Sequence, residues 1–515
     1  MKPAKYILDK DYTISEIDKR IYGSFVEHLK RVVYNGIYEP GHVLSDEQGF
    51  RNDIIDFVKQ LNITLVRYPG GNFVSGYNWT DGIGPIADRP QKLDLAWSKI
   101  ETNRFGTDEF VDWSRKANVE FMAAVNLGTG TPQDAANMVE YCNHKQGSYW
   151  SDLRRENGHE EPHNVKLWCA GNEMDGEWQI GQLSAEDYGK KAKEAAKMMK
   201  LVDPSIEIVV CGSCCCEIPT YPDWDMTVLE HTYDYTDYIS LHRYYSYDQK
   251  YHLFYPSYEN QSDVAYFAID MQNYINTVTC AADFMMTKKK SSKKINISFD
   301  EWNVVSNSNP AQLPTAAWQS SEDAGEEVFN LLDALIYGSI LCTLIKNSYR
   351  IKIACQSLLV NCGGMFYTKK GGTIIKNTVF YPFQHVAAYG HGIALLDKLT
   401  GPDLITDHHG EVPALQSAAV FNSNDGTINV FVVNFDKNND IELEMDLRSF
   451  GTTSPLEHIV LNHFDLGATN TYEKPELVKP HNVDIPYSDN GKYKIVIPQI
   501  SWNVLRFNTK SITIC

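Results

Sequence analysis

Val165-Lys-Leu-Trp-Cys-Ala170 is a short apolar run of strand type, followed at once by Gly171-Asn-Glu173. A buried strand ending in an amide and a carboxylate suits a parallel α/β fold, whose polar groups gather at strand ends. Counting this run, residues 21–26, 65–68, 121–125, 165–170, 206–211, 238–241, 295–299 and 351–358 share the pattern. Helical spacing separates them, as at 49–61, 107–116, 185–202 and 326–344. Strands alternating with helices indicate a parallel sheet, and eight of them point to a (β/α)8 TIM barrel rather than an open sheet.

Beyond about residue 381 the long helical patterns stop. Strand-like runs at 414–421, 428–434, 441–446, 457–461, 492–497 and 504–508 are separated by turns such as Asn424-Asp-Gly426 and Asp489-Asn-Gly491. This part reads as an all-β sandwich. The expected organisation is therefore strands within 1–15 joining the sandwich, a barrel over 16–380 and a C-terminal sandwich over 381–515. No repeat of solenoid period is visible.

The 515-residue chain has room for a barrel and a second domain, and 43% apolar with 22% charged residues is ordinary globular composition. A net charge of −19 disfavours nucleic acid as a partner. The most apolar segment, 329–345, carries Asn330 and Asp333 and is too short to span a membrane. No signal-peptide pattern opens the sequence, and most of its 11 cysteines sit in apolar runs, as reduced thiols do. These features point to the cytoplasm. The lysine-rich stretch 288–294 lacks interleaved aromatics and reads as a solvated loop.

Several strands end in groups that a packed core would not choose. Glu27-His28 follows the first, Arg67 ends the second with Gly70-Gly-Asn72 beyond it, and Asn172-Glu173 follows the fourth. His242-Arg-Tyr244 follows the sixth, Asp300-Glu-Trp-Asn303 the seventh, and Gln356 lies in the eighth. A lone glutamate or histidine there is usually structural, but six strands converging on one mouth is hard to explain that way. Glu173 and Glu301 would face each other, which suits glycoside hydrolysis: one carboxyl to protonate the leaving oxygen, one to attack the sugar. Asn172 can bond a sugar 2-hydroxyl. Arg67 and Tyr244 can keep a nucleophilic carboxylate ionised, whereas an acid at Glu173 calls for a raised pKa.

The segments Arg67-Tyr-Pro-Gly-Gly-Asn72, Trp168-Cys-Ala-Gly-Asn-Glu173, Ser240-Leu-His-Arg-Tyr-Tyr245 and Phe299-Asp-Glu-Trp-Asn303 resemble glycoside hydrolase family 51 α-L-arabinofuranosidases of the intracellular type. So do Ile21-Tyr-Gly-Ser-Phe-Val-Glu-His28, Gly36-Ile-Tyr-Glu-Pro-Gly41, Ile353-Ala-Cys-Gln356 and Ser501-Trp-Asn-Val504, so that nearly the whole chain is included. The resemblance implies Glu173 as acid/base and Glu301 as nucleophile. It also implies a pocket lined by Glu27, Asn72, Asn172, Tyr244 and Gln356, with Arg67 and His242 near the carboxylates and Trp97 and Trp302 as aromatic walls. It further implies a barrel with a β-sandwich, no metal or cofactor, and a homo-oligomer, often a hexamer. The implied activity is retaining, exo-acting release of arabinofuranose from arabinan, arabinoxylan and related oligosaccharides. Lys30, Arg243, residues 305–318 and Cys362-Gly-Gly-Met365 depart from the family pattern around the rim.

Two alternatives stand beside that reading. A related barrel glycosidase could act on a β-xyloside or β-glucan, and a non-catalytic carbohydrate-binding protein could retain the cleft. Binding alone needs no paired acid and nucleophile, which weighs against the second. A metal enzyme is disfavoured because His28, His242 and Glu27 lack local ligand spacing such as H-E-x-x-H, and Gly128-Thr-Gly130 lacks a P-loop lysine.

Overall fold

The computed structural model describes residues 1–246, 263–305, 318, 327–485 and 490–509. The expected helix start at 326 and most of the divergent stretch 305–318 lie outside the described residues. Eight strands close into a barrel: Gly23–Phe25, Leu65–Tyr68, Glu120–Val125, Leu167–Ala170, Glu207–Val210, Tyr238–Tyr245, Asn296–Val304 and Ile351–Ser357. Every neighbouring pair is parallel. Closure brings the eighth strand to the first, with Cys355 opposite Gly23. A side chain at Gly23 would meet the Ala354 carbonyl at 2.6 Å, so the barrel shuts where no side chain intervenes.

The strands depart from their sequence boundaries in two informative places. The first is only three residues long, because Lys19–Tyr22 forms a 3-10 turn whose Asp18 cap accepts from the Arg20 amide. The sixth and seventh instead run on together past the barrel body, to Tyr245 opposite Val304. His242, Tyr244 and Glu301 therefore lie within strands rather than on loops after them.

The seventh strand also carries a bulge. Ser240 faces Ser298 but His242 faces Glu301, and Phe299 faces Ala354 but Trp302 faces Gln356. One extra residue is thus inserted at Asp300–Glu301 against both neighbours. Bulges re-aim side chains. Here the consecutive Asp300 and Glu301 both reach Arg67 inside the barrel, and Trp302 turns outward to pack on Tyr337 and Phe383.

The sandwich packs a four-stranded sheet, ordered Lys398–Thr400, Lys2–Ile7, Ile441–Asp446, Lys492–Ile497, against a seven-stranded one. Thr13–Glu16, Ile393–Leu395, Leu415–Asn422, Thr427–Asn434, Ser501–Thr509, Thr453–Asn462 and His481–Val483 form the second sheet. Tyr6, Leu443, Ile495, Val430, Leu505 and Phe507 fill the space between the sheets. The first strand pairs in parallel with Ile441–Asp446, from Lys2 opposite Ile441 to Ile7 opposite Asp446.

Helix Leu331–Lys346 joins the two domains. Asn330 caps it by accepting from the Asp333 amide, and every residue from Leu331 to Ile345 is buried. Tyr337 reaches Asn303 of the barrel, while Gly338 lies on Trp502 and Val433 of the sandwich. A helix apolar on all sides is one covered on all sides. Among the described residues, no helix is long and apolar enough to cross a membrane.

Gly338 tests this junction. Helix propensity alone favours Gly338→Ala by about 1 kcal/mol. A Cβ there would sit 2.4 Å from the Trp502 ring. Overpacking of that kind costs roughly 1–3 kcal/mol, so calorimetry should show a lower Tm for Gly338→Ala despite the better helix former.

Candidate active site

Arg67, at the end of the second strand, is 1% exposed and occupies the centre of the barrel mouth. Its Nη1 donates to Glu301 Oε1 at 2.7 Å, and its Nη2 to Asn172 Oδ1 at 2.6 Å. Its Nε lies 3.5 Å from Asp300 Oδ2, within ion-pair distance but outside hydrogen-bond alignment. Tyr244 donates its hydroxyl to the other Glu301 oxygen at 2.7 Å, with Ser357 Oγ also 2.7 Å from that hydroxyl. Burial, with the Glu301 charge added, pushes the Tyr244 phenol well up, so it stays a donor. Both Glu301 oxygens are thus held by groups that favour the ionised form.

Glu173 has φ +43°, a left-handed conformation uncommon for a residue with a side chain. Its Oε1 accepts from His242 Nδ1 at 2.9 Å and its Oε2 from Trp178 Nε1 at 2.8 Å. The raised pKa expected from the sequence is reversed here. Burial raises it, but the His242 and Trp178 donors and the Arg67 charge outweigh burial and hold the carboxyl below its usual range. His242 moves the other way. Burial favours its neutral ring, yet Glu301, Asp300 and Glu173 keep it protonated well above its ordinary range.

Glu27 is buried beside Gly70 and Gly71 and accepts at Oε1 from the Phe73 amide at 2.8 Å and Trp97 Nε1 at 2.9 Å. Burial, and then the Glu301 charge, push its carboxyl up to about 8. Burial thus favours its protonated form, which can donate to a sugar hydroxyl as well as accept from one. Asn72 opens the 3-10 turn Asn72–Gly76, and its Oδ1 accepts from Asn172 Nδ2 at 3.4 Å. Trp97 is half-buried at the tip of a hairpin, Lys92–Asp94 with Lys99–Glu101. That hairpin is anchored by Glu101, whose carboxylate takes His28 Nδ1 at 3.0 Å and the Tyr34 hydroxyl.

Glu27, Arg67, Asn72, Trp97, Asn172, Glu173, His242, Tyr244 and Glu301 are brought together by these contacts. Trp302 is not: it is fully buried between its strand and the helices behind, because the bulge turns it outward. Gln356 is also fully buried, its amide bonded to Ser24, Tyr337 and the Gly363 carbonyl, so it supports the floor instead of opening onto the mouth. Arg243, between His242 and Tyr244, points outward to Asp270 and Glu217. His28 lies beneath the Trp97 hairpin, with Tyr68 2.8 Å from its second nitrogen. Sequence reasoning passed over Trp178 and gave Asp300, though named at the strand end, no role. Trp178 follows Glu173 in a loop with no pattern to mark it, and Asp300 adjoins Glu301, which in a regular strand puts it on the opposite face.

Glu173, His242 and Glu301 are the one described group of three potential metal-binding side chains with ligand atoms within 4.8 Å of one another. Arg67 and the His242 proton already supply the positive charge that a cation would bring.

Two carboxyl groups facing across a barrel mouth, one gripped by Arg67 and Tyr244 and the other beside His242, define a glycoside hydrolase. The chain matches the α-L-arabinofuranosidase 1 domain over residues 57–263 and the α-L-arabinofuranosidase C-terminal domain over residues 300–501. It belongs to glycoside hydrolase family 51, the α-L-arabinofuranosidases. An intracellular exo-α-(1→5)-L-arabinofuranosidase of Halalkalibacterium halodurans is 48% identical over 510 residues, 98% of this chain and 99% of that one. One from Bacillus subtilis is 46% identical over 511 residues, 99% and 100% of the two chains. The solved structure of AbfB, a family 51 α-L-arabinofuranosidase from Bifidobacterium longum, has a TM-score of 0.92 at 39% identity, covering 99% and 100%.

Gly71 tests how closely the pocket wall is set. A Cβ there would lie 2.7 Å from Glu27 Oε2. Displacing a positioning group by about 1 Å can cost on the order of 10²-fold in rate. Gly71→Ala should lose kcat/KM to that extent on an aryl arabinofuranoside, with its circular dichroism unchanged.

Proposed function

We propose that the chain releases terminal α-L-arabinofuranose by a retaining double displacement, with Glu301 as nucleophile and Glu173 as acid/base. The carrying observation is the pairing of the two carboxyl groups. Both Glu301 oxygens are occupied by Arg67 and Tyr244, and a Glu301 oxygen lies within 4.8 Å of one from Glu173. Inversion needs carboxyl groups roughly 6.5–9.5 Å apart to admit a water, whereas retention uses about 5–5.5 Å. The short separation supports retention.

In the first step Glu301 attacks the anomeric carbon while the leaving oxygen takes a proton from the Glu173 side. In the second, Glu173 draws a proton from water as it attacks the same carbon and frees Glu301. Glu27, Asn72, Asn172 and Trp97 would hold the sugar. Asn172, tied to Arg67, is set for the 2-hydroxyl, where bonding strengthens in the transition state.

The relatives' names support arabino-oligosaccharides with α-1,5 linkages as substrate and an intracellular site of action. The family also suggests a homo-oligomer. Light scattering that returned only the 58.5 kDa chain mass would count against it.

Glu301→Ala should abolish turnover of every arabinofuranoside, since no covalent intermediate can form. Glu173→Ala should lose about 10²–10⁴-fold on arabino-oligosaccharides. It should keep the first step on an aryl glycoside, and azide should restore its turnover by forming a retained glycosyl azide. Equal losses on both substrates without azide rescue would remove Glu173 from this role. A parallel assay on aryl xylosides and glucosides checks the sugar.

Activity should also survive exhaustive chelation, because arginine and imidazolium occupy the place of a Lewis acid. Loss in EDTA that one divalent ion restores would overturn the metal-free reading.

A further inference from the structure

We propose that His242 holds the proton that Glu173 passes to the leaving oxygen, so that the working acid is the His242–Glu173 pair. This rests on the roles proposed above for Glu173 and Glu301.

The geometry leaves the imidazole little choice. Its side chain is 2% exposed, and both ring nitrogens face carboxylates. Nδ1 is 2.9 Å from Glu173 Oε1 and 3.8 Å from Glu301 Oε2, and Nε2 is 3.2 Å from Asp300 Oδ1. A neutral ring carries one N–H, and would aim a lone pair at one of these anions. Imidazolium sets a positive charge among them: Nδ1–H donates to Glu173, and Nε2 lies within ion-pair distance of Asp300 but outside hydrogen-bond alignment. The carboxyl it faces is bound by two N–H donors, His242 and Trp178, an environment suited to a carboxylate and poor for a resting acid. The charged groups around the ring are Glu173 from the fourth strand's end and Asp300 and Glu301 from the seventh strand. Arg67 from the second strand reaches both of the latter, and Tyr244 from His242's own strand reaches Glu301.

Glu301 is the largest electrostatic reason for His242 to stay protonated. That charge disappears during the reaction. As an oxygen lone pair of Glu301 bonds to the anomeric carbon, the bond from that carbon to the leaving oxygen breaks and its electrons go to that oxygen. His242 Nδ1 passes its proton to Glu173, and Glu173 delivers it to that oxygen. One anionic carboxylate and one imidazolium become a neutral ester and a neutral ring, with Glu173 still ionised, so charge and protons balance. His242 thus loosens its proton as the leaving group needs it. In the second step water gives Glu173 its proton, the ester bond returns its electrons to Glu301, and the restored charge draws the proton back to His242.

The test is the pH dependence of kcat/KM for wild type and His242→Gln. The substrates are an arabino-oligosaccharide, which needs the proton, and 2,4-dinitrophenyl arabinofuranoside, which does not. Glutamine keeps an N–H for Glu173 but cannot take up a proton. On the oligosaccharide, the basic limb should move at least one pH unit downward, because the proton must then sit on a carboxyl. At neutral pH the loss should approach 10²-fold, on the order of one general-acid contribution. The dinitrophenyl substrate should change by only a few fold. Asp300→Asn, nearly isosteric, removes one of the facing carboxylates and should move the limb the same way by less. It serves if His242→Gln does not fold.

An unmoved or rising limb, or equal losses on the two substrates, would make His242 a spacer and overturn the proposal. Failure of the functional reading would appear elsewhere, as a wild-type enzyme that turns over neither arabinofuranoside or gives inverted product.

Discussion

The mouth of this barrel is organised around one buried cation. A guanidinium at 1% exposure cannot be left unpaired, since stripping it of water costs several kcal/mol that only close anions and acceptors offset. Arg67 meets that demand with Glu301, Asp300 and Asn172, drawn from two different strands. The constraint works in both directions. Arg67 aims Glu301, and its planar fork fixes how far Asn172 stands from Glu301. Around it charge is layered: Arg67, then Asp300 and Glu301, then His242, then Glu173.

The second constraint is in the backbone. A regular strand alternates faces, so adjacent carboxylates would normally point to opposite sides of the barrel wall. The single-residue insertion at Asp300–Glu301 relaxes this rule once, at the place where two inward anions are useful. Its other effect is to commit Trp302 to the packing behind the strand. Site and core are therefore set by the same residue count.

The architecture was legible because its signal is periodic: apolar runs of strand length alternating with helical spacing, then runs with turns alone between them. Arg67, Asn172, Glu173, His242, Tyr244 and Glu301 could be singled out because polar groups at the ends of buried runs have no packing reason to be there. The remainder depends on contacts that periodicity does not encode. A bulge is an offset between strands far apart in sequence, so Asp300 was given no role and Trp302 was placed on the wrong side of the wall. Gln356 reads as a mouth residue until Ser24, Tyr337 and Gly363 are seen to use up its amide. The Glu173 pKa came out reversed because the expectation rested on its role as the acid, whereas the donation from Trp178 and His242 depended on loop geometry.

The parallel pairing of Lys2–Ile7 with Ile441–Asp446 has a bearing on how the molecule is made. During synthesis Lys2–Ile7 leaves the ribosome well before its neighbours Lys398–Thr400 and Ile441–Asp446, which follow only after the whole barrel. Contacts of such long sequence separation are slow to form, and an unpaired strand edge is prone to join another chain meanwhile. Lys2, Pro3 and Lys5 in that strand are residues that discourage edge pairing. Lys2–Ile7 is thus a latch: the sandwich can close only once the barrel that separates its strands in sequence has been made.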